Sequence, residues 1–407
     1  MVRTFGLLIV AIGGLAAIGQ APKSADAPTY HHDIAPVIAK SCLPCHRENG
    51  VAPFSLATYS DVKRRASLVQ FQVLSQAMPP HRIRSDFGPL AEALPFTDAE
   101  AVTLQNWLRA GTPEGEPVAL PQSTSSGWQL GRPDLILKLR QAIEVPADKS
   151  PYWQLHTIKL PYETGRRLRA VDLRPMSPKA LRSATFGLAS LRGVLNDGAF
   201  LPGSFDVMAE TVFGAWAPGF RPWSAPKGTG IEIFPGFDSL AILAHYRPTG
   251  KIEDGGFELA LYFDREETEP TVEVKTIGVD EFVIEADKSL TLESSLDMSA
   301  GKRLITVIPE ARFFASRYQI EATLPNGERK TLFETLRWNP YWSGNYGFSD
   351  PPTLPKGTRI VARVTYDNDE RCTANEGKKP QRVVSGPKLT DEVFRVHLVF
   401  TSPSQHK

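Results

Sequence analysis

The chain has 407 residues, of which 42% are hydrophobic and 22% are charged, and its formal net charge is +1. A chain of this length and composition is expected to form more than one globular domain, each with its own core. The near-neutral charge gives no field that would attract nucleic acid, so no nucleic-acid partner is expected. Three cysteines are an odd number in a chain of this length and argue against a disulfide scaffold.

The first 27 residues have the pattern of a secretory signal peptide. Arg3 provides a basic start, and an apolar run follows at residues 5–19. The run is short for a transmembrane helix, and no other stretch approaches the roughly 20 apolar residues of a span, so no membrane span is expected after cleavage. An uncleaved N-terminal anchor is the alternative. The segment therefore predicts export, most simply to the periplasm.

Residues 28–120 contain three segments in which apolar residues recur at helical spacing. The first begins at a predicted N-cap, Asp33, and leads toward a pair of cysteines. The second covers 60–73 and ends before a Met-Pro-Pro stretch, where consecutive prolines stop a helix. The third starts with a predicted capping box of Thr97 and Glu100. These patterns predict an all-α N-terminal domain.

The first of these segments ends in the sequence SCLPCH, which holds Cys42, Cys45 and His46. In an exported protein, the order Cys-x-x-Cys-His is typical of covalent haem attachment. A redox-active dithiol, a disulfide and part of a zinc site are the alternatives. If the first two cysteines carry haem, Cys372 remains as a lone thiol.

The motif, the flanking helical segments and the Met-Pro-Pro stretch together resemble a class I cytochrome c domain. The resemblance implies one covalent haem c, with thioether links from Cys42 and Cys45 and with His46 and Met78 as the two iron ligands. Ligation by histidine and methionine raises the reduction potential and favours electron transfer with a redox partner protein. Three histidines are the candidates to replace the methionine if it is only a core residue: His31, His32 and His81.

Short runs of alternating apolar and polar residues replace the helical spacing after a linker at 121–134 that is rich in Pro, Gly and Ser. The clearest runs are 257–263, 359–366 and 393–400. Between two further runs, Asn326-Gly327 predicts the turn of a hairpin. Many short strands with turn signals predict antiparallel sandwiches or barrels.

The predicted fold class is therefore multi-domain α + β, with an N-terminal all-α cytochrome c domain followed by two antiparallel β-sandwich, jelly-roll-like domains. The expected divisions are a signal peptide (1–27), the cytochrome c domain (28–120), a linker (121–134), and two sandwiches (135–268 and 269–402).

Five segments of the β region, in their order, resemble the copper type II monooxygenases, the fold of peptidylglycine hydroxylating and dopamine β-monooxygenases. The segments are GWQLGRPDLIL, GAWAPGFRPW, AILAHYRPTGK, LPNGERKTLF and LPKGTRIVARVTYDN. That family implies two copper sites built mainly from histidine. Of the expected ligands, only His245 is present. Other residue types stand at the remaining expected positions: Arg182, Ser183, Glu310, Arg312 and Val393.

Copper is therefore not expected, and no catalytic residue is assigned. The sequence predicts an exported monohaem c-type cytochrome that acts in one-electron transfer, with the β region as a docking or binding scaffold. An active, haem-coupled copper monooxygenase in the periplasm is the alternative. A third possibility is a haem-based sensor or peroxidase with a labile sixth ligand.

Overall fold

Antiparallel β-sheet dominates the protein. In the structure, which is a computed structural model, strands hold 43% and helices 14% of the residues that it describes. Residues 27–403 are described, apart from the following positions: 49, 76, 81–82, 89, 91–95, 119–127, 140–142, 161–166, 190–208, 234–238, 265–271 and 387–390. Three predicted features lie outside the described residues, namely the signal sequence up to residue 26, the linker up to residue 127 and the division between sandwiches near residue 268.

The helices are short, and of those that the structure describes, all but two 3-10 turns in the β region (Pro340–Trp342 and Thr373–Asn375) precede the strands. The helices before the strands are a π-helical turn (Tyr30–Ile34), α1 (Ala35–Ser41), α2 (Tyr59–Arg64), α3 (Ala66–Leu74) and α4 (Asp98–Arg109). Tyr30, Val62 and Trp107 lie in their shared apolar core and are buried. The central residue Trp107 also donates from Nε1 to the Pro113 carbonyl oxygen, 2.9 Å away.

The capping box predicted for the last helix is confirmed. The Thr97 hydroxyl accepts a hydrogen bond from the Glu100 backbone N–H, and the Glu100 carboxylate accepts one from the Thr97 backbone N–H. The predicted N-cap at Asp33 is wrong, because this residue lies inside the π-helical turn. Its carboxylate instead accepts the Thr29 N–H at 2.7 Å.

The predicted fold class, an α + β chain with an all-α N-terminal domain, is wrong. The described chain is mostly strand, its four α-helices have only 6 to 12 residues, and no all-α N-terminal domain is evident. The segment between α3 and α4 joins the sheets instead, since Arg84 pairs with Glu334 and Leu90 with Phe348 in isolated β-bridges. Apolar spacing located the helices, but it carries no signal for pairing with distant strands.

Among the described residues, eleven strands form the first half of the β region. They are β1 (Leu135–Lys138), β2 (Glu144–Val145), β3 (Tyr152–Lys159), β4 (Arg167–Pro175), β5 (Leu181–Ala189), β6 (Ala209–Trp216), β7 (Trp223–Ser224), β8 (Ile231–Glu232), β9 (Ser239–Tyr246), β10 (Glu253–Asp254) and β11 (Phe257–Asp264). One sheet has the order β1-β11-β4-β7, with β8 also on β4, and a second has the order β3-β9-β5-β6. Phe186, Phe213 and Leu259 are among the buried residues of their common core.

Eleven more strands form the described part of the second half. They are β12 (Glu273–Val279), β13 (Val283–Ile284), β14 (Lys288–Asp297), β15 (Lys302–Glu310), β16 (Ala315–Thr323), β17 (Arg329–Thr335), β18 (Tyr346–Gly347), β19 (Thr353–Leu354), β20 (Arg359–Asn368), β21 (Val383–Val384) and β22 (Phe394–Thr401). One sheet has the order β12-β22-β15-β18, with β19 also on β15, and the other has the order β14-β20-β16-β17. Tyr318, Phe333 and Phe394 are buried in their core.

The three alternating runs singled out in the sequence are all strands, as predicted: they fall in β11, β20 and β22. The hairpin prediction is also confirmed, because β16 and β17 pair on either side of Gly327. This glycine has φ +84°, a left-handed conformation that residues with a Cβ adopt only rarely. No helix within the described part of the chain is both long enough and apolar enough to cross a membrane.

Candidate cofactor site

A cavity of about 610 Å³ lies between the helices and the β region. Its volume falls within the range of sites that hold small molecules and cofactors. The four residues predicted to bind haem all line this cavity: Cys42, Cys45, His46 and Met78. One site therefore contains the whole predicted residue set, although the methionine comes from a different segment than the other three.

The motif occupies the turn that continues α1. The Cys42 N–H donates to the Ile38 carbonyl, and the His46 N–H donates to the Cys42 carbonyl at 2.8 Å. The second bond spans four residues, as in an α-helix, so the motif keeps nearly helical geometry after the helix ends. This arrangement explains why both cysteines and the histidine face the same cavity.

A loop closes over the motif directly after it. The Ala52 N–H donates to the Cys45 carbonyl, and the Leu56 N–H donates to the His46 carbonyl at 2.8 Å. Gly50 permits this close approach, because a Cβ at this position would lie only 2.3 Å from the carbonyl oxygen of Cys45. A glycine is therefore a steric requirement of the site.

The imidazole of His46 is held in one tautomer. Its Nδ1 lies 3.1 Å from the carbonyl oxygen of Phe54, and a carbonyl oxygen can only accept, so Nδ1 carries the hydrogen and Nε2 keeps a free lone pair. Burial lowers the pKa of the imidazole, with a smaller opposing effect from the Phe54 carbonyl. A neutral imidazole whose second nitrogen is fixed by a carbonyl is the usual state of a histidine metal ligand.

No disulfide joins the two motif cysteines; Cys45 is buried and Cys42 is partly exposed. Burial raises the pKa of Cys42 to about 12 and that of Cys45 to about 11. Redox-active dithiols have the opposite property, a lowered pKa that makes the thiolate available. The surroundings of these thiols therefore disfavour the dithiol alternative.

Met78 reaches the cavity from the segment that follows α3. Its backbone N–H donates to the Gln72 carbonyl at 3.0 Å, and the Met78–Pro79 peptide bond is cis. The Arg337 guanidinium donates to the Ser75 carbonyl at 2.7 Å, which ties this segment to the β region. The segment that leads to Met78 is therefore held both by the end of α3 and by the β region.

Two of the histidines considered as replacement ligands lie elsewhere. His31 is 3.6 Å from the Glu114 carboxylate, and His32 is hydrogen-bonded to Asp33 on the surface. Neither lines the cavity. His81 lies outside the described residues. Among these candidates that the structure describes, Met78 alone lines the cavity together with His46.

The β region supplies the facing wall of the cavity. Trp342 packs against Cys45 and Val51 in a small apolar cluster, and the cysteine Sγ lies 3.8 Å from the Pro218 carbonyl. Three cations complete this wall: Lys179, Arg182 and Arg247. Of these wall residues, the sequence analysis named only Arg182, at a position where the copper family has a ligand. The others could not be predicted, because long-range packing brings them to the cavity.

His245, the single retained copper-ligand position, is buried in an aromatic stack. The ring of Trp153 is nearly parallel to the imidazole, with 4.0 Å between the ring centroids. The ring of Tyr341 is also nearly parallel to it, with 5.2 Å between the centroids. Neither ring nitrogen has a hydrogen-bond partner. Burial, then the charges of Arg182 and Arg312, lower the pKa of His245 to about 3, so the imidazole is neutral.

The other positions at which copper ligands were expected lie in two separate parts of the β region. Ser183 pairs with His245 in the register of β5 and β9. Glu310 lies instead on β15, with its carboxylate 3.5 Å from Nε2 of His397 on β22, and the sequence had placed this histidine in no site. Val393 is a buried core residue. In the described ranges, no group of three or more His, Cys, Asp or Glu side chains is arranged to hold a metal ion.

Comparisons with known proteins identify no family. No family model matches the chain, and no curated protein matches it. The crystal structure of the STIV MCP shares 10% identity over 66% of this chain and 96% of its own, with a TM-score of 0.24. A structure of the infectious bursal disease virus Gt strain shares 11% identity over 63% of this chain and 56% of its own, with a TM-score of 0.19. Scores this low support no conclusion about function, and both resemblances stated above remain predictions.

Proposed function

We propose that the protein is an exported monohaem c-type cytochrome that exchanges single electrons with a redox partner protein in the periplasm. The observation that carries the proposal is that one cavity is lined by both thiols of the Cys-x-x-Cys-His motif, by His46 and by Met78. The chemistry of this donor set, two thiols, one imidazole and one thioether, matches a covalent haem with a closed iron coordination sphere.

Observations of the cavity support the fit of such a group. The lining is largely apolar, with Val51, Leu56 and Val73 buried around it, as a large aromatic ring requires. His46 is neutral and retains a free Nε2, while its Nδ1–H is held by the Phe54 carbonyl. Haem bound here would supply one-electron iron chemistry.

The residues of the chain would hold and shield that group. Cys42 and Cys45 would form the thioether links, and His46 and Met78 would bind the iron. The loop returns hydrogen bonds to Cys45 and His46 and so covers part of the motif. Two protein ligands would favour electron transfer over binding of small molecules at the iron.

The β region would act as a scaffold for this site rather than as a catalyst. It contributes Trp342 and the Pro218 carbonyl to the surroundings of Cys45. The remaining surface of the β region is available to dock a redox partner.

Spectroscopy and mass measurement on the exported protein test the proposal. The expected result is a c-type absorbance spectrum and a mature mass increased by one haem. Cys42→Ala combined with Cys45→Ala should abolish the covalent mass increase, whereas Cys372→Ala should not. A mature polypeptide with no haem and with both motif thiols free would refute the proposal.

The alternative function, a haem-coupled copper monooxygenase, has one observation in its favour. The ring nitrogens of His245 are buried without partners, as those of a metal ligand can be. The cations Arg182 and Arg312 lie close enough to lower its pKa, and they would equally repel a copper ion. Stoichiometric copper in purified protein, lost in His245→Ala, would favour this alternative.

A further inference from the structure

The cavity carries positive charge without a matching negative charge. Lys179, Arg182 and Arg247 all line it. Within the described part of the chain, no carboxylate forms an ion pair with any of them. Arg182 is only 9% exposed, and its Nε has no hydrogen-bond partner. A buried guanidinium with an unpaired N–H is costly unless a ligand supplies the acceptor.

Strand geometry directs the two arginines to the same place. Arg182 occupies a β-bulge, because the pairing of β5 with β9 shifts between Leu181 and Ser183. Such bulges redirect a side chain and are frequent beside functional sites. Arg247 follows directly after β9, and its N–H donates to the Ala180 carbonyl at 2.8 Å. The end of this strand pair therefore presents both side chains to the cavity.

The aromatic pair Tyr341 and Trp342 supports the guanidinium groups. The guanidinium carbon of Arg182 lies 5.4 Å from the ring centroid of Tyr341 and 5.5 Å from that of Trp342. The guanidinium carbon of Arg247 lies 5.7 Å from the ring centroid of Tyr341. Aromatic faces attract the cations but leave their N–H groups unused. Two like charges so arranged favour the arrival of an anion between them.

We propose that Arg182 and Arg247, together with the exposed Lys179, bind the propionate carboxylates of the haem. This inference rests on the proposed function and names the residues of the β region that recognise the cofactor. Haem has an apolar ring and two carboxylates at one edge, and the cavity has a largely apolar lining with three cations in its β-region wall. Arginine forms bidentate, charge-assisted hydrogen bonds with carboxylates, so these cations suit the two propionates.

Reversible binding of two probes tests the inference. The Cys42→Ser/Cys45→Ser protein prevents covalent attachment, and its affinities for haemin and for haemin dimethyl ester are measured by absorbance titration. Haemin should bind at least about tenfold more tightly than the ester, because each charge-assisted hydrogen bond stabilises the complex. Arg182→Gln and Arg247→Gln in this background should each weaken haemin binding and leave ester binding unchanged. Arg221→Gln, an exposed cation outside the cavity, is the control and should change neither affinity.

The covalent holoprotein supplies an independent measurement. Arg247→Gln removes an exposed charge and should not impair folding. It should lower the reduction potential, because a nearby cation favours the reduced iron. Arg182→Gln should leave the haem-free protein at least as stable as the wild type, whereas a purely structural arginine would destabilise it. Equal affinities for haemin and its ester, or an unchanged potential in Arg247→Gln, would overturn this inference even when covalent haem is present. Absence of covalent haem from the wild type would refute the proposed function instead.

Discussion

Arg84 and Glu334 exchange both of their backbone hydrogen bonds, each 2.9 Å long, and their side chains form an ion pair at 3.2 Å. The first residue lies between two helices and the second lies on β17, so this bridge fastens the helical segment to the second half of the β region. Glu334 is buried and also accepts a hydrogen bond from Arg317 at 2.6 Å. These contacts therefore hold the helical segment against the β region, and the candidate site lies between the two.

Glu334→Gln tests the strength of this connection. The free energy of unfolding should fall by about 1–2 kcal/mol, because a buried carboxylate that serves two guanidinium groups loses its charge. Denaturant unfolding measures the change. The control is Asp297→Asn, which weakens an exposed ion pair with Arg359 and should cost only about 0–0.5 kcal/mol. Equal losses in the two variants would show that the bridge adds nothing beyond a surface pair.

Gly50→Ala tests the closure of the loop over the motif. The added Cβ would meet the Cys45 carbonyl oxygen at 2.3 Å, so the loop must move and its hydrogen bonds to the motif must weaken. We expect a loss of about 1–3 kcal/mol in stability and a lower yield of covalent haem. Thermal unfolding and the haem content of purified protein measure these effects.

The matched control is Gly301→Ala, where the new Cβ has no neighbour closer than 3.8 Å. It should be nearly neutral in both measurements. If Gly50→Ala behaves in the same way, the loop has no steric role at the site.

Met78→Ala tests the assignment of the sixth ligand. Loss of the thioether should lower the reduction potential and open a coordination position, so that the reduced protein binds carbon monoxide. Redox titration and absorbance spectra measure both changes. Met176→Ala removes an exposed methionine and should leave potential and spectrum unaltered. Carbon monoxide binding by the unmutated protein would argue for a labile ligand and hence for a sensor or peroxidase.

Two buried histidines should make the protein sensitive to acid. Burial lowers the pKa of His245 to about 3 and that of His156 to about 4, against about 6.5 in the unfolded chain. Between the folded-state and unfolded-state pKa values, the unfolded protein binds more protons than the folded protein. The stability that each neutral histidine contributes is therefore fully present above pH 6.5 and is lost as the pH falls toward 3–4. For each of the two histidines, the free energy of unfolding should be about 2 kcal/mol lower at pH 5 than at pH 7.

His245→Phe tests this origin of the acid sensitivity. The phenyl ring keeps the stack with Trp153 and Tyr341 and removes two unpaired buried nitrogens, so stability at pH 7 should rise by about 1–2 kcal/mol. The variant should also lose about half of the decrease between pH 7 and pH 5, as measured by urea unfolding. His32→Gln, at an exposed position, should reproduce the wild-type pH profile. A wild-type profile in His245→Phe would contradict the explanation.

Local patterns in the sequence determined local structure. The capping box at Thr97, the hairpin turn at Gly327 and the strand β22 were all predictable, because each depends on residues within a few positions of one another. The same holds for the motif, since three residues on one turn must face one side. Met78 was predicted from the likeness to a known family, and the structure places it in the same cavity.

Tertiary structure decided what surrounds that motif. Trp342 beside Cys45, Arg182 on its bulge and the bridge from Arg84 to Glu334 each join segments far apart in sequence. The prediction of a separate all-α domain failed for this reason, because helical spacing reports which face of a helix is apolar and not which surface covers it. The sequence by itself determined the reactive groups and their local order. Only the packing of distant strands and loops, which follows from burial of the whole core and leaves no periodic pattern, decided which cations and aromatic rings enclose them.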